Sequence, residues 1–136
     1  MMNFYLIKRG VKFFFQRMFR GWDDSETWSL DITFYKWLEP RLKRFQELNF
    51  AYPGYPSKYS TFESWDDELK ARWGQLVLIN TIDEFDFDDW SYIPKNKLEE
   101  FKEKEYSKGT INSMAYSYCL QDFNKWFAEN VNNLWW

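Results

Sequence analysis

Histidine is absent from the 136 residues of this chain. The absence removes the side chain that most often moves protons in catalysis at neutral pH. It also removes the usual nucleophile triads and nearly all of the ligand patterns that hold zinc. The sequence therefore excludes the histidine-based hydrolases and most zinc enzymes.

Other parts of known catalytic and phosphate sites are missing as well. The chain has a single cysteine, Cys119, so an intrachain disulfide is impossible and a reducing cytoplasm is a fitting compartment. It has neither a glycine-rich phosphate loop nor a Gly-x-Ser-x-Gly elbow. We therefore expect a protein that is not an enzyme, with no cofactor and no metal site. We also expect Cys119 to be a small buried thiol.

Long uncharged hydrophobic runs are also lacking, which argues against a transmembrane segment and against a signal peptide. The length favours one helical domain over residues 1–136. The net charge of −3 and the isoelectric point near 5.1 argue against general nucleic-acid binding. The charges are spread unevenly, because every charged side chain among residues 1–20 is basic. An acidic run lies in mid-chain at Asp83, Glu84, Asp86, Asp88 and Asp89.

Aromatic residues, in contrast, are abundant at 24% of the chain. Large rings bury much area in a core or an interface, and they also stack on flat ligands. Core packing is the commoner use, so the composition predicts an aromatic-rich core.

Residues 1–20 are predicted to form a basic amphipathic leader helix. Over 4–19 the apolar side chains recur on one side, and the basic ones lie mostly elsewhere. Packing on the other helices of the domain is the favoured interpretation of the apolar side. Contact with an anionic membrane surface is the alternative. The apolar positions are Phe4, Ile7, Val11, Phe14, Phe15 and Met18.

The segment 20–47 combines a helix start with a long apolar stripe. Asp23 or Asp24 can cap a new helix, and Glu26 completes a capping-box pair with Asp23. Apolar residues at steps of three and four predict that one side of this helix is buried. They are Trp28, Ile32, Tyr35, Leu38, Leu42 and Phe45.

Two residues complicate this helix. Pro40 has no amide to donate, but the apolar rhythm continues beyond it, so a kinked or restarted helix ending near 48–49 is favoured over a loop. Asp31 lies beside the stripe, where a carboxylate needs a partner. An internal salt bridge or hydrogen bond, for instance to Arg20 or Arg41, is the favoured interpretation, and contact with a ligand is the alternative.

The residues that follow predict a loop and a second long helix. Residues 49–59 read as an ordered Pro/Gly/Tyr loop that covers either the core or a pocket. Ser60 and Glu63 indicate a capping box for a helix that reaches about Ile82. Gly74 inside it suggests the close approach of a neighbouring helix or a ligand. The apolar stripe of this helix is Phe62, Trp65, Leu69, Trp73, Leu76 and Ile79.

Residues 83–92 are predicted to form a solvated acidic loop held by Phe85, Phe87 and Trp90. A metal site is the weaker alternative, because the spacing of a calcium-binding loop is missing. An acidic surface that mimics a nucleic-acid backbone is a further alternative.

Two more helices complete the prediction. Pro94 fits the first turn of a short helix that Gly109 ends, and Thr110 can cap the last helix. Together the elements predict an all-α protein, a compact bundle of four or five helices with an aromatic-rich core, an ordered Pro/Gly/Tyr loop and an acidic loop. The stripe of the last helix is Tyr116, Leu120, Phe123, Phe127, Val131 and Leu134, extending to Trp135 and Trp136.

The run GWDDSETWSLD at 21–31, with Pro40-Arg41-Leu42-Lys43 and Phe45 after it, resembles a family of small uncharacterised proteins encoded by phages and prophages. In that family a basic aromatic leader, here 8–20, precedes the run, and a Trp-Asp helix follows it. The residues of that helix would be Glu63, Trp65, Asp66 and Asp67. The resemblance covers about the first half of the chain and departs at Glu39, where an apolar residue is expected. It implies a phage origin and no defined activity.

The resemblance and the residue chemistry together favour a non-catalytic phage accessory protein. It would counter host defence in the cytoplasm of the infected bacterium by sequestering a nucleotide-type immune signal, and it would form a homo-oligomer. Rings stack on bases, and guanidinium groups grip phosphates. The alternatives are a protein–protein inhibitor of a host defence complex and a minor structural phage protein. The predicted ligand-binding residues are Arg20, Trp22, Asp24, Trp28, Asp31, Tyr35, Arg41, Lys43 and Arg44.

Overall fold

A computed structural model describes residues 4–135, and within this range the chain forms five α-helices and no β-strand. The prediction of an all-α fold with an aromatic cluster in its core is confirmed. The terminal Trp136 of the predicted last stripe lies outside the described residues. The α-helices are α1 (Phe4–Arg20), α2 (Leu30–Leu48), α3 (Phe62–Thr81), α4 (Lys95–Glu103) and α5 (Lys108–Asn130).

The chain divides into two compact units, Met1–Trp37 and Leu38–Trp136, with the boundary inside α2. Over the described residues, none of the helices combines the length with the apolar character that crossing a bilayer requires.

The first unit begins with α1, which Gly21 ends at a φ of 85°. A short 3-10 helix follows at Asp24–Thr27, and Asp23 and Glu26 cap it as the predicted capping box. The prediction of one long helix starting there is wrong, because α2 begins only at Leu30.

Side-chain competition for one carbonyl explains the break before α2. The Thr27 hydroxyl donates to the Asp24 carbonyl at 2.7 Å, and the Trp28 amide donates to the Ser25 carbonyl at 3.2 Å. The amide of Trp28 therefore closes a three-residue turn instead of an α-helical one. Trp28 ends the 3-10 helix and does not belong to the α2 stripe.

The predicted stripe is buried only in its later part. Tyr35, Leu38 and Leu42 are buried, whereas Ile32 and Trp28 are exposed. The helix runs through Pro40 to Leu48, which confirms that a helix, not a loop, passes the proline.

The core of the second unit lies between α3 and α5. Trp65 of α3 lies 4.8 Å from the ring of Tyr59 and 6.2 Å from that of Trp126 on α5. The Trp126 indole N–H donates to the Tyr59 hydroxyl at 3.1 Å, so the polar edges of two buried rings satisfy each other. Cys119 is buried in this core, as predicted.

The helix caps differ from those predicted for this unit. Thr61 and Ser64, not Ser60 and Glu63, form the capping box of α3. Ser107 caps α5 by accepting from the Thr110 amide, so Thr110 is not the cap. Gly109 lies inside the first turn of α5 and does not end α4, which stops at Glu103.

The buried side of α5 is rotated from the predicted one. Of the predicted stripe only Phe123 is buried, and Val131 is 43% exposed. Two small residues and two asparagines occupy positions on the buried side. The asparagines are tolerated there because their side-chain amides have hydrogen-bond partners. Asn112 donates to the Phe85 carbonyl at 2.7 Å, and Asn130 donates to the Trp126 carbonyl at 2.9 Å. The buried residues are Ile111, Asn112, Ala115, Cys119, Phe123, Trp126 and Asn130.

The two predicted loops are irregular, as expected, apart from a 3-10 turn at Trp90–Tyr92. In the acidic loop Phe87 is buried, and the Trp90 indole donates to Asn112 at 2.7 Å. The Phe85 backbone carbonyl also ties the loop to α5, and its ring, 60% exposed, lies beside Gly109 in the first turn of that helix. No neighbouring helix of the described residues approaches Gly74 closely, because outside its own stretch of helix backbone no heavy atom lies within 4 Å of the place where a Cβ would stand. The approach of a ligand stays a prediction.

Candidate functional site

An open groove of about 630 Å³ lies in the first unit, between α1 and the turn that follows it. Three aromatic rings, three cationic side chains and one carboxylate form its walls. Its lining residues are Tyr5, Lys8, Arg9, Lys12, Phe13, Asp24 and Trp28. We call it the leader groove.

Arg9 lies at the centre of the aromatic side of the leader groove. Its guanidinium carbon is 5.2 Å from the centre of the Trp28 ring and 5.9 Å from that of Phe13. It is also 5.9 Å from the ring centre of Tyr5. The Phe13 and Trp28 rings meet edge to face at 5.6 Å, and Trp28 stays 62% exposed. A cation and accessible ring surface therefore adjoin each other.

Asp24 holds the polar end of the leader groove. The Gln16 amide donates to its carboxylate at 2.8 Å, and Lys12 lies 3.2 Å from the same oxygen. The hydrogen bond from Gln16, followed by those from Arg20 and Lys12, lowers the pKa of Asp24 to about 2. A ribose hydroxyl that donated to Asp24 would compete with these three donors.

Asp23 fixes the turn that presents Trp28. Its buried carboxylate accepts from the Ser25 amide and hydroxyl and pairs with Arg17 of α1. The Ser25 hydrogen bond is the largest cause that lowers the pKa of Asp23, and the Arg17 hydrogen bond adds to it. Asp23 therefore ties the capped turn to α1, and this tie places Trp28 over Arg9.

Arg20 and Trp22, both predicted to bind ligand, contact each other. The Arg20 guanidinium carbon lies 3.8 Å from the Trp22 ring centre, and the Arg20 Nε–H donates to the Trp22 carbonyl at 3.0 Å. Arg20 also pairs with Asp24. Its guanidinium is thus already engaged on one face and at two edges.

Asp31 and Tyr35 differ from each other in exposure. Asp31 is exposed in the first turn of α2, and no ion pair of its carboxylate is found among residues 4–135. The expected internal salt bridge is therefore wrong, since a hydrated carboxylate needs no such partner. Tyr35 is buried, with its ring edge-on to Phe34 at 5.6 Å.

The remaining predicted residues, Arg41, Lys43 and Arg44, belong to the second unit. Lys43 lies 4.5 Å from the Trp73 ring centre and 3.9 Å from the Glu47 carboxylate. Arg44 pairs with Glu47 at 3.1 Å, and Arg41 is exposed. Lys43 and Arg44 thus have partners on their own helix or on α3.

Five residues of the leader groove were not predicted as site residues. Tyr5, Arg9 and Phe13 recur every four residues, so they lie above one another on α1. This spacing of ring, cation and ring is present in the sequence, on the side of α1 away from its apolar stripe. Lys8 and Lys12 repeat the same four-residue step.

A second polar cluster lies in the second unit beside a cavity of about 210 Å³. Arg72 donates to Glu68 at 2.7 Å and to Asp122 at 2.8 Å. The Gln75 amide donates to Asp122 at 3.1 Å and to the Cys119 carbonyl at 3.3 Å. The donors and acceptors of this cluster satisfy each other, as in a structural link between α3 and α5. No group of three or more metal-ligating side chains occurs in the described part of the chain.

Comparison with known proteins adds no relative to these observations. No protein-family model matches the chain, and neither does any curated protein or solved structure.

Proposed function

We propose that this protein is a non-catalytic phage accessory protein that binds and sequesters a nucleotide-type signal of the host's defence. The leader groove is the observation that carries the proposal, because it joins exposed ring surface to three cationic side chains. The resemblance of residues 21–31 to phage-encoded proteins supplies the biological setting, the cytoplasm of an infected bacterium.

The groove matches the two chemical parts of a nucleotide. A base stacks on an aromatic side chain with about 1–3 kcal/mol, and Trp28 is an exposed ring of the groove. The phosphates would pair with Arg9 and Lys8, for which no ion pair is found among the described residues. A volume of about 630 Å³ is in the range of small-molecule sites.

Charge favours an anion at the first unit. Residues 1–37 contain six basic and four acidic side chains, whereas residues 38–136 contain twelve basic and seventeen acidic ones. The overall negative charge therefore comes from the second unit. A phosphate-bearing ligand is attracted to the unit that contains the groove.

Calorimetry with cyclic dinucleotides and ADP-ribose-type messengers tests the proposal. We expect one class to bind and Trp28→Ala to weaken its binding by about tenfold or more, since stacking is lost. Trp135→Ala is the matched control, because Trp135 is 70% exposed and does not line the groove. Binding that both substitutions weaken equally, or that neither weakens, contradicts the assignment to this groove.

A matched charge pair tests the phosphate contacts. Lys8→Gln should weaken nucleotide binding and flatten its dependence on salt, whereas Lys125→Gln removes an equal charge from an exposed position of the second unit. Arg41→Ala, measured alongside, reports whether cations of the second unit take part. Equal losses for the Lys8 and Lys125 variants would show a general charge effect and no site.

One observation favours a protein–protein inhibitor as the second candidate. The five acidic side chains of the run from Asp83 to Asp89 are all exposed, and none of them has an ion pair among residues 4–135. Such a surface can occupy the nucleic-acid site of a host defence protein. A silent nucleotide panel, combined with capture of a host protein that Asp86→Asn and Asp88→Asn abolish, would favour this function.

A further inference from the structure

The apolar side of α1 is uncovered along its whole length. No residue of α1 is buried, and each of its seven apolar-side residues is at least 42% exposed. At about 100° per residue these seven side chains fall in one arc of about 140°. They are Phe4, Ile7, Val11, Phe14, Phe15, Met18 and Phe19. We call this arc the apolar face. Within the first unit no element covers this face.

The leader groove uses the opposite side of the same helix. Tyr5, Arg9 and Phe13 point toward Trp28, and Gln16 reaches Asp24. The rings of the two sides of α1 are therefore separate, and the two surfaces adjoin at Lys8 and Lys12. A ligand in the groove leaves the apolar face uncovered.

The charges of α1 are all of one sign. Phe4–Arg20 contains five basic residues and no acidic one. By the same helical spacing Lys8 lies just inside one edge of the apolar face and Lys12 just outside it. Both residues also line the leader groove, and Arg17, beyond the other edge, pairs with Asp23. Long basic side chains at such an edge extend toward an anionic surface while their stems cover apolar area.

We propose that the apolar face docks α1 on the surface of a bilayer that contains anionic lipid. The helix lies in the plane of the interface, with its phenyl rings among the acyl chains and its basic edges at the headgroups. Uncovered apolar area and cationic edges are the two features that such binding combines. The opposite side, with the leader groove, faces the aqueous phase.

Charge complementarity favours a membrane over a second copy of the chain. Two copies paired through the apolar face would set the cationic edges of one helix beside those of the other. An anionic lipid surface instead attracts the basic side chains at this edge, among them Lys8, for which no ion pair is found among the described residues. The helix rests on the surface and does not cross it, since no helix among the described residues can span a bilayer.

Vesicle flotation of the full chain tests this proposal. One set of vesicles is pure phosphatidylcholine, and the other contains phosphatidylglycerol at about one lipid in three. We expect the protein to float with the anionic vesicles and to be released when ionic strength rises from about 0.05 M to about 0.5 M. Binding to pure phosphatidylcholine should be weaker by about tenfold or more.

A matched pair of substitutions locates the contact. Phe19→Ser removes a side chain that is 81% exposed on the apolar face, and Phe50→Ser removes one that is 74% exposed in the second unit. We expect the first to reduce partitioning by about tenfold and the second to leave it unchanged. Circular dichroism of both variants checks that their helix content is retained.

Several outcomes would overturn the proposal. These are equal partitioning into both kinds of vesicle, equal loss in both variants, and a lipid-free dimer that Phe19→Ser dissociates while vesicles bind nothing. Nucleotide binding is measured without lipid and depends on the other side of α1. The two proposals can therefore fail independently.

Discussion

The guanidinium carbon of Arg9 lies 5.2 Å from the centre of the Trp28 ring. Arg9 belongs to α1, whereas Trp28 belongs to the capped turn that follows it. The Asp23–Arg17 pair and the Asp24–Gln16 hydrogen bonds hold this turn against α1. The cation and the ring are thus organised before any ligand arrives. Such preorganisation reduces the entropy lost on binding.

A double-mutant cycle measures this contact. We expect Arg9→Gln and Trp28→Ala to show a coupling of about 0.5–1 kcal/mol in the free energy of unfolding, the range for exposed cation–π pairs. Urea denaturation followed by circular dichroism supplies the four values. The control cycle combines Arg9→Gln with Trp135→Ala. The effects of these two substitutions should be additive, because Trp135 lies in the other unit. A coupling of zero in the first cycle would show that Arg9 and Trp28 are neighbours without attraction.

The link from α1 to the turn should weaken in acid. The pKa of Asp24 lies at about 2, below its ordinary value of 3.8, because Gln16, Arg20 and Lys12 donate to the carboxylate. A depressed folded-state pKa gives stability that is present above about pH 4 and is lost as the pH falls toward 2. Carbon-detected NMR of the Asp24 carboxyl should give a midpoint near 2.

Asp24→Asn provides the control for this titration. It should remove the part of the acid-induced loss of helix signal that comes from the first unit, and it should cost stability already at neutral pH. A midpoint near the ordinary value in the intact protein would mean that the hydrogen bonds to Asp24 do not persist in solution.

The first unit shows what the sequence could and could not predict. The capping box of Asp23 and Glu26 was predictable, because it depends on residues three positions apart. The place of Trp28 was not, since the Thr27 hydroxyl competes with the backbone and ends the turn there. Helical periodicity counts Trp28 as a stripe residue, whereas its ring packs on α1.

In the second unit the helices were predictable and the inner side of α5 was not. Periodicity weighs large apolar residues, so Leu120 and Val131 dominated the predicted stripe. Asn112 and Asn130 are buried instead, because tertiary contacts supply hydrogen bonds that local spacing cannot reveal. The candidate site was missed in part for a similar reason. Arg9 and Phe13 form part of a site only because the Trp28 ring packs on them, and this contact cannot be read from local spacing.

Gly74→Ala should stabilise the protein. The glycine lies inside α3, and a Cβ at this position would meet open space. Alanine restricts the unfolded chain, so we expect a gain of about 0.5–1 kcal/mol in the free energy of unfolding. Gly54→Ala in the same unit is the opposed control, because its φ of 72° strains an alanine by about 1–2 kcal/mol. Thermal denaturation of both variants checks the two signs, and a loss at Gly74 would point to a partner that approaches this helix face.

Phe123→Ala should be among the most costly single substitutions in the second unit. The side chain has no exposed surface, and its ring lies 5.9 Å from that of Trp126 and 6.2 Å from that of Phe127. Truncation leaves a cavity, so we expect a loss of about 3–5 kcal/mol in the free energy of unfolding. Phe50→Ala makes the same chemical change at a ring that is 74% exposed and should stay within about 0.5 kcal/mol of the parent.

The pair also tests the orientation of α5. Phe123 is the one residue that belongs both to the predicted stripe and to the buried side. The stability lost in Phe123→Ala therefore does not by itself distinguish the predicted orientation of α5 from the one described. Cys119 is buried and lies off the predicted stripe, and burial raises the pKa of its thiol. In the orientation described, alkylation of Cys119 is on the order of a hundredfold slower in the native protein than in urea, and Phe123→Ala accelerates it by loosening the same core. Rapid alkylation of the native parent protein would instead place Cys119 at the surface and require a rotated helix.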